Sequence, residues 1–222
     1  MLKRLLGLVA LTVVGTGCAS MSPVGTARTL DEGTFRYGGE LITGSAVVER
    51  EDFNGIAFQM GASLTYGITD DIELGSRVWG SPSLSEWTWG GELQAKFQIE
   101  RPKEPIGRLQ FSIAPRLSFH QLGKAGATWE HASGTLALML GWSPNEELEF
   151  IVTPQVGGNL LMNKGSNNVL ALHVGGSLGV AWSVQACTKV LPALTFTYTD
   201  AALTDEAPFW LYQVSISLLI DG

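Results

Sequence analysis

The sequence predicts an all-β chain, folded as a single closed antiparallel up-and-down transmembrane barrel of about ten strands. Three observations carry this. Apolar and polar residues swap one for one over segments longer than a globular strand. In 210–220, Trp210, Tyr212, Val214, Ile216, Leu218 and Ile220 share one face, while Gln213, Ser215 and Ser217 share the other. A strand that crosses a bilayer needs about 9–11 such residues, against about 5–6 in a globular sheet. Second, charged residues make up 16% of the 222-residue chain, below the roughly 25% of soluble proteins. Third, mean hydropathy is +0.17, yet no apolar run of about 18 residues follows the N-terminus, which argues against membrane helices.

Each strand follows from its own alternation. The first, about 34–47, sets Phe35, Tyr37, Gly39 and Leu41 against Arg36, Gly38 and Glu40. The second, 55–67, aligns Phe58, Met60, Ala62, Leu64 and Tyr66, and ends at the turn-forming Thr69-Asp70-Asp71. The third, 72–80, opposes Ile72, Leu74 and Val78 to Glu73 and Arg77. The fourth, 87–100, alternates without a break from Trp87 and Trp89 to Phe97 and Ile99. The fifth, 107–120, carries Pro115, which cannot donate to a ladder and predicts a bulge or kink. The sixth, 129–142, is read with Trp129, Leu136, Leu138, Leu140 and Trp142 on its apolar face, and the turn Ser143-Pro144-Asn145-Glu146 follows. The seventh to ninth occupy 147–160, 168–183 and 189–199; the tenth is given above. Connections after strands two, six and eight read as short turns. Those after three, five, seven and nine read as longer loops, and the one after four, 101–106, breaks the pattern. That alternation predicts both termini in the periplasm.

The apolar face is assigned to lipid. Tyr66, Trp142 and Trp182 fall at one set of strand ends, and Trp87, Trp129, Tyr198 and Trp210 at the other. Two aromatic girdles suit a membrane barrel better than a soluble lipid-binding barrel. The polar face then fills the bore. Arg36, Glu40, Glu73, Arg77, Glu92, Lys96, Arg116 and Glu149 point inward, with both signs present. They read as a salt-bridged filling, with the lining of a small channel as the alternative.

The N-terminus divides into 1–17, a signal peptide; 18–32, a lipidated polar tether; and 33–222, the barrel. Met1-Leu2-Lys3-Arg4 is a positive start, and Leu5 to Val14 a short apolar core. Gly15-Thr16-Gly17-Cys18 resembles a bacterial lipobox, with Gly15 where leucine is usual; the resemblance implies acylation of Cys18. Thr26-Ala27-Arg28-Thr29-Leu30-Asp31-Glu32-Gly33 resembles the segment that opens several bacterial outer-membrane barrel families. As a class, residues 18–222 resemble a Gram-negative outer-membrane barrel protein. That implies outer-membrane lipid and the barrel-assembly machinery as partners. The aromatic last residue common in such barrels is replaced by Ile220-Asp221-Gly222.

Chemistry-bearing clusters are sparse. Net charge is −7 with pI near 4.9, and no basic cluster lies outside the leader, which excludes a nucleic-acid binder. His120, His131 and His173 all fall on the polar face; His120 and His131 lie on neighbouring strands but lack a third metal ligand. His131-Ala132-Ser133 resembles the His-x-Ser of barrel lipid A deacylases. Against that, the pair faces the bore and Glu130 the other side, while Glu146 and Glu147 stand roughly 40 Å away at about 3.3 Å per residue. Cys187 falls in a tight turn. The expectation is a barrel with a structural or interaction role, without catalytic, metal or cofactor sites. A small porin-like channel, a lipid-modifying enzyme and a soluble lipid-binding barrel are the alternatives.

Overall fold

A computed structural model describes residues 25–48, 51–81, 86–124, 127–163, 169–200 and 209–222. It describes their side chains except at 45–48, 51–57, 86–87, 122–124, 127–129, 161, 163, 169 and 209. Among the described residues the chain forms ten strands and no helix: β1 Phe35–Val48, β2 Glu51–Thr69, β3 Ile72–Gly80, β4 Glu86–Glu100, β5 Leu109–Lys124, β6 Ala127–Trp142, β7 Leu148–Asn163, β8 Val169–Gln185, β9 Thr188–Asp200 and β10 Phe209–Asp221. Each pairs antiparallel with its chain neighbours, and β1 pairs with β10, so the sheet closes with no open edge. Closure leaves no row of unpaired backbone groups, as hydrocarbon surroundings require. The seam is fastened by Gly222 N–H to Phe35 O (2.8 Å), Phe35 N–H to Gly222 O (3.4 Å) and the Arg36–Asp221 ion pair.

The alternation sorts faces as the pattern predicts. Leu93, Leu109, Leu117, Val156, Leu172 and Ile216 are among a continuous outer set of exposed large apolar residues. The buried inner row is mostly Ser, Thr, Gln, His and charged. Such a surface is the inverse of a soluble barrel and far exceeds the few hundred Å² of apolar patch a soluble monomer exposes.

Proline behaves differently from the expected kink. Gln94 pairs with Arg116 and Phe97 with Ile113 in one constant register, with the ladder lapsing between them beside Pro115; the register shift of this ladder lies further on, between Gln98 and Glu100. On its other side Pro115 pairs with Leu136 unbroken. The missing donor therefore costs one side of the ladder and no bulge forms at the proline itself. Pro154 and Pro192 interrupt the β6–β7 and β8–β9 ladders in the same way.

Two further readings change. The connection after strand five shrinks to two residues, because Gln121↔Glu130 through Lys124↔Ala127 keep pairing. The segment read as a lipidated polar tether is, from residue 25 onward, folded into the barrel. Thr26, Ala27, Thr29 and Leu30 are buried in the mouth that also holds the C-terminus, called here the terminal mouth; the opposite mouth is the distal one. Residues 1–24, including the signal region and Cys18, lie outside the described residues.

Candidate functional site: the barrel interior

The eight charges assigned to the bore are all buried inside it, and they divide into two groups. Nearest the terminal mouth, Lys96 is fully buried, with Nζ 2.6 Å from Glu73 Oε1. The same ammonium donates to Thr26 O and Arg28 O, each at 3.0 Å. Glu73 Oε2 accepts Leu30 N–H at 2.9 Å, and Glu149 Oε1 accepts Ala27 N–H at 2.9 Å. Gln98 Oε1 accepts Thr29 N–H at 2.7 Å, and Ser112 Oγ donates to Ala27 O at 2.9 Å. Arg36 grips Asp221 with two nitrogens and donates a third to Thr26 Oγ1 at 3.1 Å. Segment 25–33 is thus a plug held by luminal side chains on its backbone. Charge-assisted bonds of this type are roughly twice as strong as neutral ones.

Apolar contact completes the seal. Ala27 packs against Ala114, Ala137 and Met139 of β5 and β6. On the other side Ile151, Ala181, Leu191 and Leu219 form a second buried cluster across β7 to β10. Gly141 is needed here: a Cβ on it would lie 2.4 Å from Glu149 Oε1 and 2.6 Å from Ala27 Cβ. A cavity of about 530 Å³ opens beside the plug, with Arg28, Arg36, Glu149, Lys189 and Asp221 on its walls.

Above the plug, Arg77 lies between Glu40 (3.4 Å) and Glu92 (3.5 Å), with its guanidinium carbon 5.0 Å from the centre of the Trp79 ring. Trp79 is an inward tryptophan that the reading of strand three did not place, although its parity with Glu73 and Arg77 carried the signal. Its indole lies against Gly90, where a Cβ would come within 2.5 Å of the ring. Arg116 is buried near the same charges on β5.

The distal half holds the histidines. His120 and His131 are Cα partners across β5 and β6, with ring centroids 6.1 Å apart. His120 Nε2 bonds Thr88 Oγ1, His131 lies near Asn159, and His173 Nε2 bonds Thr135 Oγ1 at 3.2 Å. Among the described residues no group of three His, Cys, Asp or Glu side chains could hold a metal ion. Ser133 Oγ bonds Ser118 Oγ at 2.5 Å rather than a histidine, so the His131–Ser133 pair is not arranged as nucleophile and base. Glu130 belongs to the outer row, where Gln121 donates to it (3.3 Å) and accepts from Trp89 Nε1 (3.0 Å).

Of the girdle residues, Tyr66, Trp142, Trp182 and Trp210 are exposed on the outer wall, and the Tyr198 ring packs tilted against Trp210 with centroids 4.9 Å apart. The side chains of Trp87 and Trp129 lie outside the described residues. Cys187 is exposed in the turn between β8 and β9, and its carbonyl accepts Asp221 N–H at 2.8 Å.

No protein-family model matches this chain, and no curated protein matches it. Solved structures do. The outer membrane protease OmpT from Escherichia coli aligns with a TM-score of 0.51 at 9% identity, over 88% of this chain and 99% of that one. An outer membrane channel from Pseudomonas putida F1 aligns with a TM-score of 0.51 at 10% identity, over 90% and 100%. One is described as a protease and the other as a channel, so the likeness extends to the fold and not to an activity. The chain is a closed ten-stranded antiparallel barrel of the kind found in outer-membrane proteins.

Proposed function

We propose that this protein is an outer-membrane barrel with a structural or interaction role, its bore filled by paired charges and its terminal mouth closed by its own residues 25–33. The observation that carries this reading is the plug: luminal Lys96, Glu73, Glu149, Gln98 and Ser112 all bond the backbone of that segment. A chain whose bore served as an open pore would not spend its buried charges on closing it. The apolar outer wall supports insertion in lipid, and the terminal mouth is the periplasmic one in this reading.

Cys18 is acylated in the same reading. Seven Cα-to-Cα steps lead from it to Gly25, a maximal reach of about 23 Å at about 3.3 Å each. Ten strands spaced about 4.8 Å and tilted about 40° give a radius of roughly 10 Å. A segment of that length is long enough to reach from the plugged mouth to the surrounding leaflet. Outer-membrane lipid and the barrel-assembly machinery are the implied partners.

The cavity of about 530 Å³ beside the plug supports a second reading, a small channel. One measurement tests the barrel that both readings share, and a second separates them. Outer-membrane extracts should give a compact, heat-modifiable band; release into the soluble periplasm without such a band would reject the barrel reading altogether. In planar bilayers the intact protein should show no ion conductance, and steady single-channel steps would favour the channel.

A further inference from the structure

The cavity of about 530 Å³ beside the plug has the volume of a small-molecule site, which runs from about 300 to 1,000 Å³. Most of the charges on its wall are committed. Arg36 holds Asp221 with two nitrogens. Arg101 bridges to Asp31, and Arg28 lies 4.0 Å from the same carboxylate. Glu146 and Glu147 are exposed on the turn between β6 and β7.

Two groups of opposite sign remain. Among the described residues, Lys189 has one ion-pair partner, Asp221 Oδ2 at 3.9 Å, an oxygen that Arg36 already holds. Glu149 is 8% exposed, and its Oε1 accepts Ala27 N–H. Its Oε2 has no hydrogen bond among the described residues, and it is not shut away from water as the orphaned buried oxygens of the bore are. In a side chain this buried, that oxygen meets the cavity. Lys189 is the cation that acts most strongly on Glu149, yet no ion pair joins the two among the described residues. Gln110, 2% exposed, lines the same cavity, and its Oε1 has no partner. Ile106, Leu148 and Ala181 add apolar wall.

A lone anion in this cavity gains Lys189 and meets the repulsion of Glu149. A lone cation gains Glu149 and meets that of Lys189. A ligand that carries both signs, in the reverse order, gains from each.

We propose that the cavity is a binding site for a zwitterion of the amino-acid or short-peptide class, its carboxylate on Lys189 and its ammonium on Glu149. Gln110 serves as a neutral acceptor on the same wall, and the apolar patch takes the ligand's carbon. The plug forms one side of the site and stays docked when the ligand binds, so the barrel gains a ligand without opening.

Isothermal titration calorimetry of the full-length protein in detergent micelles tests this. The probes are L-alanine and trialanine, each also with its amino end acetylated and with its carboxyl end amidated. Saturable binding of a free probe is expected, and which of the two binds tells a free amino acid from a peptide. Removing either ligand charge should weaken binding about 10- to 100-fold, the worth of one charged hydrogen bond. In Lys189→Gln the free probe should bind no better than the amidated one, while acetylation still weakens it. In Glu149→Gln the free probe should bind no better than the acetylated one, while amidation still weakens it. Heat-modifiable mobility checks that each variant is folded. Glu149 also holds the plug, so if Glu149→Gln does not fold, Lys189→Gln decides alone. No saturable heat from either free probe up to 10 mM, blocked probes that bind as well as free ones, or unchanged affinity in folded Lys189→Gln would overturn the proposal. The compact band and the lack of ion conductance are read separately, so the closed barrel stands in each of those cases.

Discussion

Lys96→Met tests the plug directly. The wild-type ammonium is fully buried, 2.6 Å from Glu73 and 3.0 Å from each of two plug carbonyls. Methionine keeps most of the volume and removes the charge. Two carbonyls then lose their donor, and Glu73 keeps a buried charge whose remaining hydrogen bond in the structure is Leu30 N–H. Breaking a buried ion pair from one side costs about 3–5 kcal/mol. Much of that cost falls on the docked plug, because two of the three partners of Lys96 belong to it and the third, Glu73, holds it. The population with segment 25–33 withdrawn should then rise roughly 10²- to 10³-fold, at about 1.4 kcal/mol per decade.

Arg28 sits inside the plug and provides the assay. Trypsin cannot cut after Arg28 while its carbonyl is held by Lys96 against the bore. When opening and closing are fast relative to cleavage, the cutting rate follows the open population. Mass spectrometry of the intact barrel reads that cut separately from cuts elsewhere. The double variant Glu73→Gln/Lys96→Met removes the stranded charge and should recover at least half of the lost protection, a coupling of about 2 kcal/mol in the double-mutant cycle. Equal cleavage at Arg28 in wild type and folded Lys96→Met would refute the claim that the luminal charges hold the plug.

Three further outcomes follow from the same geometry. Gly141→Ala puts a methyl into Glu149 and Ala27 and should cost about 1–3 kcal/mol in urea unfolding from vesicles, with faster cleavage at Arg28 as its signature. Leu117→Arg, on the outer wall at 68% exposure, should cost about 2–4 kcal/mol in a bilayer if it lies near the midplane, where a water-facing barrel would show no loss. Arg101 bridges Asp31 and Asp70 at the mouth rim, with both carboxylates largely exposed, so Arg101→Ala should cost under about 1 kcal/mol and the effect should fade in 1 M salt.

Strand number, strand type and the direction of the two faces were legible because a barrel in lipid obeys a single rule, period two with the apolar side out. Nothing in the interior has to be known to apply it. The rule is silent on how a strand accommodates a proline. Pro115 was expected to bend its strand; a proline costs only the one ladder bond its nitrogen would have made, so the register survives.

The plug was hidden for a different reason. Its recognition runs through Ala27 N–H, Thr29 N–H, Leu30 N–H and the carbonyls of Thr26, Ala27 and Arg28, and main-chain atoms leave no mark on a sequence. What the sequence did hold was an imbalance. Glu149 faces Ala181 across β7–β8, with no basic residue opposite it in the ladder. A carboxylate in a filled bore needs a donor, and where the sheet supplies none the donor must come from elsewhere in the chain. Lys96 shows the same excess: one glutamate satisfies its charge, yet an ammonium has three protons to place. Counting hydrogen-bond capacity on the inner face, rather than counting charges, would have pointed to a missing backbone segment at that mouth. The 25–33 stretch, rich in threonine and other small or polar residues and placed directly before β1, was the one available to fill it.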